Sequence, residues 1–467
     1  MSTARISLPA KGQPWLELQH QMSDMGKNDV DWRHGKASVY VFHSGDDVMQ
    51  VAHDAYSMYI AENGLGPGAF PSLKRMESEV VNMALSLQNA PNSAAGSMTS
   101  GGSESILLAI KACRDARAAA APVPGTPEIV APYTVHPAFD KGAHLMGLKV
   151  IRVPCSDNFC ADVSAMAEAI TENTVMLVGS APCFPDGLID PIDALSQLAL
   201  DQNLWLHVDA CVGGYLNPFM RSLVEQQGGE QIEAYDFSLP GVSSMSLDLH
   251  KYGYAAKGAS TVLYRDKSLR DAQIFNVDVW PCGQMFTPTL AGTRPGGAIA
   301  AAWAVLNYLG EEGYVTRAAM IKEAREQLIK GCEDLGLEVF GNPKLSIVGF
   351  GSKNDDILAV GEGLYEDGWF SSRLKNPDGI QVMISPEHHK TMPNYLKAIE
   401  KNLEDVRSGR RKRVTQLCDL EHRLGPGGNR DGRGQWRDVR HGQRSNHGVY
   451  AQPGSITRPT RACELCC

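Results

Sequence analysis

The sequence predicts an α/β fold around a mainly parallel sheet, and three observations carry that prediction. Short apolar runs of strand length alternate with segments of helical period. A glycine turn opens directly onto one of the helical segments. Polar residues stand at or just past the carboxyl ends of two apolar runs, which is the edge where open α/β sheets gather their ligands. In chain order, the first thirty-odd residues read as an arm, and 32–75 as a helical segment leading into the body. Strands are expected at 129–131, 150–153, 175–179, 205–208 and 260–263, with a helix at 192–201. A smaller α+β region follows, with a helix near 317–335, strands near 345–349 and 381–385, and a last helix near 392–407. The expected division is 1–75, a large domain at 76–310, a small C-terminal domain at 311–408 and an atypical basic tail at 409–467.

Four elements carry chemistry. Lys251 lies in the run DLHKYGYAAKG, about forty residues after the strand-like LWLHVDA that ends on Asp209. An amine able to hold an aldehyde as a Schiff base and a carboxylate able to keep a pyridine nitrogen protonated are what pyridoxal phosphate requires. MTSGGSES at 98–105 runs straight into a helical pattern, so the backbone N–H groups of Gly101, Gly102 and Ser103 would face an anion at a helix N-terminus. His136, in YTVHPAF after the apolar EIVAP, sits where an imidazole can stack on a ring at the sheet edge. Each signal has a plain structural alternative: an N-cap for the glycine turn and for Asp209, a satisfied loop histidine for His136, a solvated lysine for Lys251.

Taken in this order, the four resemble the pyridoxal phosphate enzymes of the group II decarboxylase superfamily, and most of all its sphingosine-1-phosphate lyase branch. The similarity runs from about Trp32 to about Val406 and rests on GKASVY, NGLGPGAFPSLKRMESEV, LHVDACVGGYLNPFM, SMSLDLHKYGYAAKGASTVLY and AGTRPGG. It implies a type I fold, with a mainly parallel seven-stranded sheet between helices and a smaller C-terminal α+β domain. It implies that Lys251 holds the cofactor, Asp209 pairs with the pyridine nitrogen, His136 stacks on the ring, and Gly102, Ser103 and His250 bind its phosphate. Tyr40 and Lys257 match positions that grip the phosphate of the substrate head group. The loop 291–297, including Gly297, is expected to reach the site of a neighbouring subunit in a homodimer with shared active sites. Lys257 is also expected to depress the amine pKa of Lys251 by like-charge repulsion.

The resemblance implies a retro-aldol carbon-carbon lyase of sphingolipid metabolism, producing a fatty aldehyde and phosphoethanolamine. Decarboxylation of glutamate, aspartate or an aromatic amino acid stays open, as does a catalytically silent cofactor-binding relative. One departure bears on the substrate: where the lyases carry a histidine before proline, this chain has Gly66 before Pro67. A hydrogen bond lost from a charged group weakens binding by about 1.5 to 3 kcal/mol.

Composition fits a large cofactor domain plus a smaller one: 467 residues, 43% apolar and 21% charged. The net acidic charge argues against nucleic acid as a partner of the body. No run approaches membrane-spanning length, and the N-terminus lacks a leader pattern, so a cytoplasmic location without a transmembrane anchor is expected. Seven of the eleven cysteines lie in apolar contexts without paired spacing and read as core residues, and no metal site is assigned. From Arg411 on, eleven Lys or Arg stand against five Asp or Glu, formally +6, while the remainder carries 33 against 48, formally −15. Three readings of this stretch stay open: a disordered basic tail for anionic lipid or nucleic acid, a cysteine metal site, or an out-of-frame end.

Overall fold

Burial explains the unbroken apolar runs. The computed structural model describes residues 5–413, so the readings of the tail beyond Arg413 lie outside the described residues. Seven strands form the main sheet: β1 Ala95–Thr99, β2 Glu128–Pro132, β3 Lys149–Val153, β4 Thr174–Ser180, β5 Trp205–Asp209, β6 Val242–Leu247 and β7 Ser260–Tyr264. Every residue of β2, β4, β5 and β7 is buried, because helices cover both faces and no strand face is left to water. The strand order is β1-β7-β6-β5-β4-β2-β3. Pairing is parallel from β3 to β6, and β7 runs antiparallel to both β6 and β1. This mainly parallel seven-stranded sheet is the one the resemblance implies.

The helices are α1 Trp15–Met25, α2 Asp46–Met58, α3 Pro71–Leu87, α4 Gly102–Ala120, α5 Ala138–Met146, α6 Val163–Glu168, α7 Ile192–Asp201, α8 Asn217–Gln227, α9 Lys267–Asp271, α10 Gly296–Asp334, α11 Ile357–Glu366 and α12 His388–Arg407. A hairpin of β8 Phe275–Val277 and β9 Met285–Thr287 projects between β7 and α10. A second, antiparallel sheet combines β10 Glu338–Val339, β11 Ile347–Gly351, β12 Ser372–Leu374 and β13 Gly379–Met383. Beneath the main sheet, Ile106 and Ile110 of α4 pack with Phe139 of α5 and with Ile129, Val178 and Tyr264 of the strands. Emptying the Phe139 position to alanine costs about 3 to 5 kcal/mol in a core of this kind.

Two elements differ from expectation. The helix expected near 317–335 begins at Gly296. Its first stretch, from Gly296 to Ala302, is buried on every side and so shows no amphipathic period to read. At Gly310 the backbone takes φ 55°, a value open to glycine, and the helix kinks there. The arm also contains α1, none of whose residues is buried. Of the seven cysteines read as core residues, Cys113, Cys183, Cys211 and Cys332 are buried thiols, Cys155 and Cys160 are half-buried, and Cys282 is exposed in the β8–β9 turn.

Candidate active site

The carboxyl ends of β1, β2, β4, β5 and β6 lie along one edge of the sheet, and they surround a cavity of about 410 Å³. Gly101, Gly102, Ser103, His136, Asp209, His250 and Lys251 all line it, so seven residues singled out across 150 positions of sequence meet in one place.

Lys251 sits on the turn that follows β6. Its backbone N–H donates to Asp248 O at 3.2 Å, and two buried tyrosines clamp the segment: Tyr252 Oη donates to Ile384 O at 2.8 Å and Tyr314 Oη to Gly253 O at 2.9 Å. The turn brings Lys251 Nζ to 3.0 Å from Asp248 Oδ2. Burial works against the charge on Lys251, but the Asp248 carboxylate outweighs it and holds the ammonium above the ordinary lysine range. Burial would likewise raise Asp248, and the charges of Lys251 and then His250 hold it below the usual carboxylate range. Like-charge repulsion from Lys257 therefore does not bring Lys251 below its ordinary range. It is Lys257 that is lowered, to about 8, by desolvation first and by the Lys251 charge second.

Asp209 ends β5, the middle strand of the sheet, and is 7% exposed. Both hydrogen bonds its carboxylate receives fall on Oδ1, from the Cys211 backbone N–H at 3.1 Å and from Ser246 Oγ at 3.2 Å. The other carboxylate oxygen is left for the cavity that Asp209 lines.

The glycine turn is shaped for an anion. Helix α4 begins at Gly102 with no side chain capping it, so its first N–H groups carry the helix dipole toward the cavity. Glu104 fixes the turn, accepting from Ser100 N at 2.7 Å, Ser100 Oγ at 2.6 Å and Leu290 N at 2.8 Å. A Cβ at Gly102 would lie 2.6 Å from Cys211 Sγ and 2.8 Å from Asp248 Oδ2, so only glycine fits this approach. Nearby, His250 Nδ1 is buried and has no hydrogen-bond partner among the described residues. A buried, partnerless imidazole nitrogen beside an uncapped helix start suits a phosphate acceptor. With the amine of Lys251 and the carboxylate of Asp209 on the same cavity wall, the residues present fit pyridoxal phosphate.

His136 is exposed to the cavity, its Nδ1 accepting from Ala138 N–H at 3.1 Å and its ring standing edge-on to Phe184 at 6.2 Å. The Nδ1 contact leaves the ring face open. Lys257 does not line this cavity. Its Nζ donates to Tyr40 O at 2.8 Å and to His250 O at 3.2 Å and lies 4.9 Å from the Phe42 ring. It borders a second cavity of about 410 Å³, largely apolar, that shares His250 with the first. Tyr40 is 65% exposed and holds the left-handed backbone value φ 67°, which directs its carbonyl to Lys257. Gly297 lines neither cavity and is buried at the start of α10, where a Cβ would meet the ring of Tyr56, a residue that borders the second cavity, at 2.7 Å. Gly66 has open space, with only Ala69 Cβ at 3.7 Å from the position of an added Cβ.

Asp248 and Glu104 had no assigned role from sequence. The available signal for Asp248 is its place three residues before Lys251, the spacing of a tight turn; for Glu104 it is a carboxylate in the first turn of a helix, near the unpaired N–H groups of the chain entering it.

Comparison with known proteins gives a consistent picture. Residues 2–353 match the family described as Pyridoxal-dependent decarboxylase conserved domain. The chain is 40% identical over 410 residues to a sphingosine-1-phosphate lyase of Arabidopsis thaliana, covering 86% of this chain and 74% of that one. It is 39% identical over 421 residues to sphingosine-1-phosphate lyase 1 of Mus musculus, covering 88% and 72%. Among solved structures, a sphingosine-1-phosphate lyase of Burkholderia pseudomallei superposes with a TM-score of 0.82 at 34% identity, over 87% of this chain and 94% of that one. A Lactobacillus brevis glutamate decarboxylase gives 0.74 at 19% identity, over 87% and 96%, which speaks to the fold alone.

Proposed function

The chain belongs to the pyridoxal-dependent decarboxylase family, within its sphingosine-1-phosphate lyase branch, and from that premise we propose that it cleaves a phosphorylated long-chain amino alcohol to a fatty aldehyde and phosphoethanolamine. It is a pyridoxal phosphate-dependent lyase. The observation that carries the reading is the single cavity in which Lys251, Asp209, His136 and the uncapped start of α4 converge.

Bound there, the cofactor supplies an electron sink for the bond that breaks at the amine-bearing carbon. The chain's own residues do the rest. Lys251 provides the amine that holds the cofactor aldehyde, and Asp248, 3.0 Å away, carries the opposing charge. Asp209 would offer its free oxygen to the ring nitrogen, and His136 would stack on the ring. The N–H groups of Gly101, Gly102 and Ser103, with His250 Nδ1, would receive the cofactor phosphate. Lys257 and Tyr40 hold the substrate phosphate, and the apolar cavity beside Lys257 offers a wall for a long hydrocarbon chain.

No helix among the described residues is long and apolar enough to cross a membrane. The reading includes a cytoplasmic homodimer with shared active sites. The location is supported by seven free cysteines among the described residues, and the dimer by the likeness of the 291–297 loop to that of the family.

The test is product analysis by mass spectrometry. The cofactor-loaded protein is incubated in parallel with a phosphorylated sphingoid base and with glutamate, aspartate, tyrosine and tryptophan. A fatty aldehyde with phosphoethanolamine is expected. An amine with carbon dioxide would move the protein to the decarboxylases, and no product from any substrate would make it a silent relative.

A further inference from the structure

Beneath Asp209 lies a buried row of polar side chains that none of the roles above uses. It runs across β5 and β6, where the strand register sets His207 opposite Ser244 and Asp209 opposite Ser246. Trp205 Nε1 lies 2.7 Å from Ser244 Oγ, Ser244 Oγ 2.7 Å from His207 Nδ1, His207 Nε2 3.2 Å from Ser246 Oγ, and Ser246 Oγ 3.2 Å from Asp209 Oδ1. His207, Ser244 and Ser246 are each 0% exposed. Cys211 adds a thiol donor to Ser246 Oγ at 3.3 Å.

The polarity of the row follows from one end. An indole nitrogen only donates, so Ser244 Oγ accepts from Trp205. The Ser244 hydroxyl has one proton, and His207 Nδ1 is the acceptor within reach. His207 therefore carries its proton on Nε2 and donates it to Ser246 Oγ. Ser246, already accepting, passes its own proton to Asp209 Oδ1. The opposite tautomer would leave the Ser244 hydroxyl buried with no acceptor and would take the Ser246 proton away from Asp209. Burial keeps His207 neutral, its pKa lowered to about 4, so the direction of the row is stable across the ordinary pH range.

We infer that His207 and Ser246 are positioning residues that fix the Asp209 carboxylate through Oδ1 and so aim its other oxygen at the cofactor ring. A buried, satisfied histidine in a core needs no function, but this one reaches a cavity-lining carboxylate by a row in which every proton has one place to go. The inference rests on Asp209 being the partner of the pyridine nitrogen.

The experiment compares S246A, H207L, H207Q and D209N with the parent protein. It reads the cofactor dissociation constant by titration, the induced circular dichroism of the bound cofactor, and far-ultraviolet circular dichroism for the fold. S246A and H207L are expected to bind the cofactor about tenfold more weakly, the scale of one lost hydrogen bond to a charged group. Their cofactor dichroism is expected to fall while the far-ultraviolet signal stays. H207Q, whose amide offers acceptor and donor in the same order, is expected to recover most of both. If H207L does not fold, S246A alone carries the test. Parent-like affinity and dichroism in S246A, with both reduced in D209N, would overturn the relay and keep the role of Asp209. Parent-like values in D209N itself would overturn the reading of Asp209 and the relay with it.

Discussion

Lys251 Nζ and Asp248 Oδ2 stand 3.0 Å apart in a largely buried turn, and this pair sets the protonation of the Lys251 amine. An opposite charge at this distance favours the charged forms of both groups, as the raised Lys251 and lowered Asp248 show. Replacing Asp248 by Asn removes the nearest carboxylate and leaves burial opposed mainly by the more distant Asp209 charge, which shifts the amine toward neutrality. The expected outcome is cofactor capture at lower pH, its midpoint displaced downward by about one unit or more. The check is the rate at which the visible cofactor band appears across a pH series in D248N and the parent. An unmoved midpoint would show that Asp248 does not govern Lys251.

Gly66 has room for a side chain, since an added Cβ meets only Ala69 Cβ at 3.7 Å. Installing histidine there, Gly66→His, is expected to add the donor that lyases carry before this proline. A hydrogen bond to a charged phosphate contributes about 1.5 to 3 kcal/mol, so KM for a phosphorylated sphingoid base should fall about tenfold or more. Steady-state kinetics decide it. An unchanged KM would mean that the head group does not approach residue 66.

The residues that chemistry must place at strand ends were legible from sequence: Asp209 closes an apolar run, His136 follows another, and Gly102 opens a helix. Their convergence follows from the parallel sheet, which puts those ends on one edge. What stayed hidden depends on pairing between distant strands or on distances within a turn. Ser246 meets Asp209 only through the β5–β6 register, 37 residues away in sequence. The net proton affinity of Lys251 is not legible in the sequence because it depends on the 3.0 Å approach of Asp248, whose charge outweighs burial. The first half of α10 was missed because burial on all sides erases the helical period, whereas Ala318, Ile321, Ala324, Leu328 and Cys332 in its second half keep it.

Acid stability is expected to reflect opposing buried groups. Burial lowers His207 and His388 to about 4, below the unfolded value, so as pH falls through 6.5 the unfolded chain takes up protons that the fold refuses, and stability is lost. Burial raises Asp186 and Asp190 to about 6, so on the same descent the fold binds protons first and stability is gained. At about pH 4.5 each histidine costs about 2 to 3 kcal/mol and each aspartate returns about 2, leaving a small net change. His388→Asn keeps the acceptor for Ser385 N–H, now 2.8 Å from Nδ1, and removes one titrating group. Urea unfolding at about pH 6.5 and about pH 4.5 should show H388N gaining about 2 to 3 kcal/mol relative to the parent on acidification. Equal responses would mean that His388 takes up a proton within the fold.

Lys257 is lowered to about 8 by desolvation and by the Lys251 charge. If it holds the substrate phosphate, its proton is needed for that contact, and affinity should decline as pH rises through about 8. Lys257→Arg keeps a cation that does not titrate in this range, so its KM should stay flat where that of the parent rises. Lys257→Met removes the charge and should raise KM about tenfold or more at neutral pH, with kcat less affected, as expected for an interaction made in both ground and transition states. The pH dependence separates this role from a structural one. Loss of the two carbonyl contacts, to Tyr40 O at 2.8 Å and His250 O at 3.2 Å, would disturb the loop at every pH alike, whereas a phosphate contact gives K257M and the parent converging KM values above the Lys257 titration.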